Sequence, residues 1–295
     1  IIHLSILHYQ PTPDFRDTGR NVRQYVNQHM DIFWDIFKPL MPYIAICIFL
    51  DLVITEHFMG IDPETGEPYN FVLFSIIANY FLACLIISWH RVIIHGPDSY
   101  TPMNPFKPSR GEIGFIAMAI GLTIAAIAAG GLVGAISALI SPALLGLAIP
   151  VLVIFIIFIA CRLSFYFPAK ATGNDMTLKQ AFALSEGYVL RLIFTPIFAA
   201  WKVMLLMLAY LLIGFAVLVI LSMANGSLPF ILGMTTEGSL IEFGEATAIV
   251  QFLFTAPINL YFSPLLAIIG VTVLSNFYQY ALQNPRKDDN DEHYI

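Results

Sequence analysis

The sequence feature that most constrains the fold is the stretch Pro142–Arg191, in which a long apolar run stops abruptly at Arg162. At about 1.5 Å per residue, the run before this arginine is long enough as a helix to cross a bilayer core of about 30 Å. A polar segment follows, in which Thr177 or Asp175 is expected to cap a short amphipathic helix. The stretch therefore predicts two transmembrane helices joined on one side of a membrane.

The composition agrees with a membrane protein. Of the 295 residues, 58% are hydrophobic and 12% are charged, and the mean hydropathy is +0.77, whereas soluble domains carry about 25% charged residues. Cys47, Cys84 and Cys161 all fall in apolar runs without a CxxC spacing. We therefore interpret them as small buried hydrophobic residues rather than as disulfide or zinc-binding residues.

Hydropathy along the chain predicts an all-α, polytopic transmembrane helical bundle of six spans. The six segments run from about Leu40 to His57, Phe71 to Ile94, Ile113 to Leu139, Ala143 to Cys161, Lys202 to Asn225 and Ala246 to Leu282. The last two apolar runs are longer than a perpendicular crossing needs. We expect the fourth to sixth helices to be kinked, at Pro150, Pro196, Pro257 and Pro264.

Segments at both ends of the chain lie outside these spans. Residues 1–38 include a helix predicted from about Thr18, whose apolar and basic positions are typical of an interfacial helix on a membrane surface. Residues 39–283 form the transmembrane domain, and residues 284–295 form a charged tail. The chain begins with Ile1 and shows no signal-peptide pattern, which leaves open whether its N-terminus is complete.

All 14 basic residues fall on one side of the membrane when the six spans alternate in direction. They lie in the N-terminal segment, after the second span, between the fourth and fifth spans, and in the tail. The loops on the other side contain no lysine or arginine. The positive-inside rule then places both termini in the cytoplasm, and Trp89, His90 and Arg91 end the second span, as expected where a helix meets lipid headgroups.

The third span is unusually rich in small residues. Two sets recur at every fourth position, Ala117, Gly121, Ala125 and Ala129, and Ala126, Gly130, Gly134 and Ala138. Each set lies along one stripe of the helix, so that neighbouring helices can approach its backbone closely. We predict helix packing at Gly121, Ala125, Gly130 and Gly134, with this span as the central packing helix.

Three segments carry a resemblance to known proteins. The segments RDTGRNVRQYVNQHM and RLSFYFPAKATGNDMTLKQAFALSEGYVLRLIF resemble the YciC-like six-span proteins of bacterial inner membranes. The segment SWHRVIIHGPDS is similar to a W-H-R turn in related alphaproteobacterial membrane proteins. The resemblance implies a fold and an inner-membrane location, and it implies no activity. The chain departs from the family in its longer N-terminal segment, its proline-rich second cytoplasmic loop and its acidic tail. These additions allow an added role in docking.

Four basic residues are expected near one cytoplasmic level, namely Arg91, Arg162, Lys170 and Arg191. They either hold an anionic lipid headgroup or only fix the orientation of the helices.

Three further residues are ionisable or polar and lie within predicted spans or at their ends. Asp51 either binds a cation or proton, or reaches the interface or a neighbouring helix. Asn79 either binds a ligand or forms hydrogen bonds between helices. Lys202 is expected to extend its ammonium group to the cytoplasmic headgroups.

The motifs HExxH, GxSxG, GxxxxGK[ST] and GxGxxG do not occur, and we expect no cofactor, no metal and no nucleic-acid partner. The leading hypothesis is a non-catalytic accessory or scaffolding subunit of a larger membrane complex, whose partners are membrane lipids and other membrane subunits. A small-solute or lipid transporter built on the kinked spans is the alternative. A membrane-embedded enzyme ranks third, because it needs Asp51, Glu56 and His57 to surround a metal.

Overall fold

The computed structural model describes residues 15–58, 73–98, 100–140, 142–224 and 253–284. Side chains are described at these positions except for 55–58, 137–140, 142–147, 218 and 221–224. Both predicted acidic loops and all but the first residue of the charged tail lie outside the described residues.

Every regular element in the described ranges is helical. The α-helices are α1 Phe15–Gln28, α2 Met30–Phe37, α3 Met41–Phe58, α4 Leu73–His95, α5 Arg110–Ile140, α6 Pro142–Leu163, α7 Tyr166–Ala171, α8 Leu178–Leu184, α9 Val189–Ala224 and α10 Ser263–Gln283. Residues 253–257 are also helical, and a π-helical segment, Ile258–Phe262, joins them to α10. The all-α fold class predicted from the sequence is confirmed.

Five helical stretches among the described residues are long and apolar enough to cross a membrane. They are Leu73–His95, Arg110–Ile136, Ala148–Ala171, Val189–Val217 and Leu253–Gln283. The pair α2 and α3 passes the same test only when its two helices are taken together, and they meet at a bend of 57°. Counting this bent pair as one span gives six, the number that hydropathy predicts.

The prolines expected to kink the helices have different outcomes. Pro150 lies inside α6 and Pro196 inside α9, and both helices continue through them. The predicted break at Pro196 therefore does not occur. Pro257 immediately precedes the π-helical segment Ile258–Phe262, so the last candidate span departs from regular α-helix where the sequence predicts a kink.

The short helix α8 begins where the sequence predicts. The Thr177 hydroxyl accepts a hydrogen bond from the Gln180 N–H at 3.3 Å, and the Gln180 side chain accepts one from the Thr177 N–H at 2.8 Å. This capping box satisfies two N–H groups that the helix itself cannot bond. Asp175 instead pairs with Lys170 at 3.2 Å. The helix ends after seven residues, and Gly187, at φ 79°, lies in the turn that leads to α9.

Helix α1 is amphipathic as predicted, and its apolar face is covered by protein. Val22 and Val26 are buried, and the hydroxyl of Tyr25 donates to the carbonyl of Val92 on α4 at 3.4 Å. Burial raises the pKa of Tyr25 to about 12. Because Tyr25 bonds to α4 and both valines are buried, α1 is part of the core of the first unit.

Contacts divide the chain into two compact units. The described residues of the first are 15–36, 83–199 and 268–284, and those of the second are 37–58, 73–82, 200–224 and 253–267. The helices α4, α9 and α10 each contribute residues to both units, and the last residue of α2 belongs to the second unit.

The core of the first unit is aromatic. Trp89, Phe165 and Phe277 are each at most 1% exposed. The ring of Tyr188 lies 5.8 Å from the rings of both Phe165 and Phe277. The segment before α7 therefore packs against the end of α10 through large side chains that bury much apolar surface.

In the second unit, α9 packs against the helical stretch before the π-helical segment. The hydroxyl of Tyr210 donates to the carbonyls of Leu253 and Phe254, both at 3.2 Å. The ring of Phe254 lies against Gly214 so closely that a Cβ at this glycine would overlap it. A larger residue at this position of α9 would therefore have to displace the ring of Phe254.

Candidate functional site

An ion pair shielded from solvent joins the end of α4 to the start of α5. The side chains of Arg91 and Glu112 are 17% and 6% exposed, and a guanidinium nitrogen of Arg91 lies 2.8 Å from a carboxylate oxygen of Glu112. The same guanidinium donates to the carbonyls of Ala171 at 2.7 Å and Thr101 at 3.1 Å. Arg91 therefore ties α4 to α5, to α7 and to the loop that follows α4.

Glu112 also caps the helix that carries it. Its second carboxylate oxygen accepts a hydrogen bond from the Ser109 N–H, and the Ser109 hydroxyl lies 3.4 Å from the Glu112 nitrogen. This reciprocal arrangement is a capping box, and the sequence Ser-Arg-Gly-Glu at 109–112 has its spacing. The sequence analysis missed this role because it began the third span at Ile113.

Gly111 allows α7 to approach the start of α5. A Cβ at this position would lie 3.1 Å from the backbone carbonyl oxygen of Lys170, which is tighter than an ordinary van der Waals contact. A backbone carbonyl at a helix end cannot move aside as easily as the tip of a flexible side chain. The contact therefore favours glycine over any residue with a side chain.

Polar side chains of α4 bond to α10 inside the first unit. The indole N–H of Trp89 donates to the Thr272 hydroxyl at 2.9 Å, and His90 Nδ1 lies 2.6 Å from the Ser275 hydroxyl oxygen. Trp89 is 0% exposed and His90 is 1% exposed, so neither faces lipid headgroups as the sequence analysis expected. These bonds satisfy buried polar groups that would each cost about 1–3 kcal/mol if left unpaired.

Two other buried polar side chains of the first unit have no hydrogen-bond partner among the described residues. Asn276 is 1% exposed, and neither atom of its amide group is bonded. Thr195 on α9 is fully buried, and its hydroxyl is also unbonded. Because buried polar groups without partners lower stability, Asn276 is a position where an apolar residue should be tolerated.

Two of the four basic residues predicted to hold a lipid headgroup are engaged with carboxylates. Arg91 pairs with Glu112 and also bonds to two carbonyls, as described above. Lys170 pairs with the exposed Asp175 at 3.2 Å, and its ammonium lies 5.5 Å from the centre of the Tyr166 ring. The geometry therefore gives Arg91 a structural role.

The other two basic residues lie over aromatic rings. The guanidinium of Arg162 is 4.1 Å from the centre of the Phe182 ring, and that of Arg191 is 5.8 Å from the centre of the Tyr188 ring. Arg91 bonds to Ala171 in α7, which directly follows the end of α6 that carries Arg162. Arg91 and Arg162 thus lie at the same end of their helices.

The polar residues predicted within spans are engaged locally in the second unit. The Ser75 hydroxyl donates to Asp51 at 2.6 Å, and the Asn79 amide donates to the Ser75 carbonyl at 2.8 Å. The first bond joins α3 to α4, and the second lies within α4. Lys202 is exposed, and its ammonium lies 5.8 Å from the centre of the Trp201 ring.

The described residues contain no group of three His, Cys, Asp or Glu side chains that could hold a metal ion. The side chains of Glu56 and His57, which the enzyme hypothesis needs, lie outside the described set.

Helix α5 is the least covered of the candidate spans. None of the residues in its most apolar window is buried. A Cβ at Gly121, Gly130 or Gly134 would meet no atom within 4 Å, and Ala125 is exposed. Within the described part of the chain, α5 contacts α6 and α7, and its role as the central packing helix stays a prediction. Packing of a neighbouring helix at these four residues likewise stays a prediction.

A polar cleft of about 580 Å³ lies beside the Arg91–Glu112 ion pair. Its lining also includes His95 at the end of α4 and Asn104 and Lys107 in the following loop. The loop between α4 and α5 is irregular, as its prolines predict. Sequence analysis had not singled out Asn104 or Lys107, although a basic residue in a short loop between two spans is a signal for this kind of site.

Comparison of the chain with protein-family models, with curated proteins and with solved structures finds no match.

Proposed function

We propose that this chain is a non-catalytic multi-pass protein of a bacterial inner membrane that works by contact, as an accessory or scaffolding subunit of a larger assembly. The observation that carries the proposal is the uncovered surface of α5, where Gly121, Gly130 and Gly134 leave open space along the helix. The resemblance to YciC-like proteins supports the inner-membrane location.

Small residues on a membrane helix favour contact with another helix. Helices in hydrocarbon associate through close packing, because lipid tails are as apolar as the side chains they replace. A surface of glycine and alanine lets a second backbone approach closely and gain dispersion contacts. Because no helix of the described chain fills the space beside Gly121 and Gly130, the stripe suits a helix of another subunit.

The polar residues favour the scaffold over the transporter. A solute pathway generally needs several polar groups that converge near the middle of the membrane. Asp51 accepts a bond from Ser75 on the neighbouring helix through one oxygen, its other oxygen has no partner among the described residues, and Asn79 bonds to Ser75 on its own helix. Neither lines the cleft beside Arg91.

We place both termini in the cytoplasm, since all 14 basic residues then share one side. The location of Arg91 and Arg162 at the same end of their helices agrees with this orientation.

Co-purification in a mild detergent tests the proposal. We expect the wild-type protein to bring down one identified membrane subunit, and Gly130→Leu to lose it while the isolated variant melts at or above the temperature of the wild type. Ala128→Leu is the matched control, because Ala128 is exposed on the same helix about 200° around its axis from Gly130.

Two results would contradict the proposal of a scaffolding function. One is loss of the partner in both variants or in neither. The other is solute movement across liposomes that contain the purified chain alone, which would favour the transporter.

A further inference from the structure

The groups in the cleft that remain available for a ligand are donors and a cation. Arg91 and Glu112 neutralise each other, and both oxygens of Glu112 are engaged, one by Arg91 and the other by the Ser109 N–H. Lys107 lines the cleft and has no ion-pair partner among the residues that the structure describes. The remaining charge of the lining is therefore positive.

The side chain of Asn104 adds a donor to the same lining. Its amide oxygen accepts a hydrogen bond from the Phe106 N–H at 2.9 Å, which leaves the amide N–H groups for a ligand. Thr101 supplies a hydroxyl to the same lining. A cation surrounded by neutral donors is a set of groups that binds a phosphate oxygen.

Acidic residues close to the loop do not contribute to the cleft. Burial raises the pKa of the Tyr100 hydroxyl, and the nearby Asp35 and Asp31 of α2 raise it further. Neither aspartate lines the cleft, and the exposed Asp98 does not line it either. Among the described residues that line the cleft, Glu112 is the only acidic one.

The walls of the cleft are already held in place. The buried Met103 donates its N–H to the Ser88 hydroxyl at 2.9 Å, and the Thr101 carbonyl is bound by Arg91 at 3.1 Å. The Lys107 N–H closes a turn onto the Asn104 carbonyl at 3.2 Å. A ligand that enters the cleft therefore does not have to order the loop, which lowers the cost of binding.

The cleft lies at the level where lipid headgroups are found. The loop that forms it runs from the end of the candidate span Leu73–His95 to the start of the candidate span Arg110–Ile136. Phe106, next to Lys107, is 74% exposed. Aromatic side chains at span ends are typical of the membrane interface, so Phe106 can enter the lipid while Lys107 stays with the headgroups.

We propose that this cleft, through Lys107 and Asn104, binds the phosphate of an anionic membrane lipid. The site differs from the predicted set of Arg91, Arg162, Lys170 and Arg191, and it goes beyond the scaffold function. Arg91 contributes by holding the loop, and Lys107 contributes the attracting charge.

Native mass spectrometry of the purified full chain in a neutral detergent tests this site. The probes are phosphatidylglycerol, phosphatidylcholine and inorganic phosphate, each titrated against wild type, Lys107→Gln and Lys179→Gln. Lys179 is the matched control, because it is an exposed lysine of the first unit outside the cleft. Gel filtration and thermal unfolding establish that each variant keeps its fold.

We expect the wild type to prefer phosphatidylglycerol to phosphatidylcholine, and Lys107→Gln to weaken phosphatidylglycerol binding about fivefold, the effect of one cation near a membrane surface. Lys179→Gln should change it by less than about twofold, and Lys107→Arg should retain binding.

Three results would overturn the proposal. The first is equal loss of binding in Lys107→Gln and Lys179→Gln, and the second is equal affinity of the wild type for the two lipids. The third is displacement of phosphatidylglycerol by millimolar inorganic phosphate, which would identify a soluble phosphate as the ligand in place of a lipid.

Discussion

Arg91 and Glu112, on successive helices, form an ion pair at 2.8 Å, and Glu112 uses its other oxygen to cap α5. One carboxylate thus fixes both where α5 begins and where it meets α4. The guanidinium of Arg91 extends the connection to the Ala171 and Thr101 carbonyls. The cleft beside it depends on the same two side chains.

Removing Arg91 should destabilise the protein more than neutralising Glu112. Arg91→Gln leaves a buried carboxylate without its partner, so we expect a loss of about 3–5 kcal/mol in the free energy of unfolding. Glu112→Gln should cost less, because glutamine can keep the capping bond. Thermal and denaturant unfolding in a neutral detergent measures both. The double variant should show a coupling energy of about 0.5–3 kcal/mol, and additive losses would mean that the two groups do not interact.

Adding a methyl group at Gly111 should lower the stability of the protein, whereas adding one at Gly130 should raise it. Gly111→Ala places a Cβ against the Lys170 carbonyl, so we expect a loss of about 1–3 kcal/mol. Gly130→Ala enters open space in a helix, so we expect a gain of up to about 1 kcal/mol in the isolated protein. Melting temperatures in the same detergent compare the two variants. A shift of the same sign in both would contradict the close approach of α7 to α5.

Replacing Asn276 with leucine should preserve or raise stability. Its amide is buried without a hydrogen-bond partner in the described chain, so an apolar side chain removes a desolvation cost of about 1–3 kcal/mol. Ser275→Ala is the comparison, because it breaks the contact with His90 and should lower the melting temperature. If Asn276→Leu proved the more damaging of the two, the amide must have a partner.

The stability of the protein should fall at alkaline pH, because the buried hydroxyl of Tyr25 ionises less readily in the folded than in the unfolded chain. The pKa of Tyr25 is about 12 in the folded protein and about 10 in an unfolded chain. A raised pKa contributes stability that is fully present below pH 10 and is lost as the pH rises towards 12, by up to about 1.4 kcal/mol per pH unit. Unfolding measured from pH 8 to pH 11 should therefore show a steeper decline for the wild type than for Tyr25→Phe. Parallel curves would show that Tyr25 ionises freely in the fold.

The helices could be predicted from sequence because their causes are local. Runs of apolar residues of sufficient length mark the spans, and Thr177 with Gln180 marks the start of α8 by its spacing alone. The end of the polar loop before α5 could also have been found, since Ser109 and Glu112 have the same spacing. Reading that motif would have placed Glu112 inside the helix.

The arrangement of side chains could not be predicted, because it depends on which helices become neighbours. The bond from Trp89 to Thr272 joins residues that are 183 positions apart, and periodicity within one helix carries no information about it. The small residues of α5 indicate that a close approach is possible, but they do not say whether a helix of the same chain makes it.

The π-helical segment Ile258–Phe262 holds one residue more than a regular α-helical path would need. The wider turn takes up this residue, so deletion of Asn259 would leave a regular α-helix in which Phe254 can still meet Gly214. A homologous chain with an uninterrupted helix at this point would consequently align with the present one only across a gap of a single position.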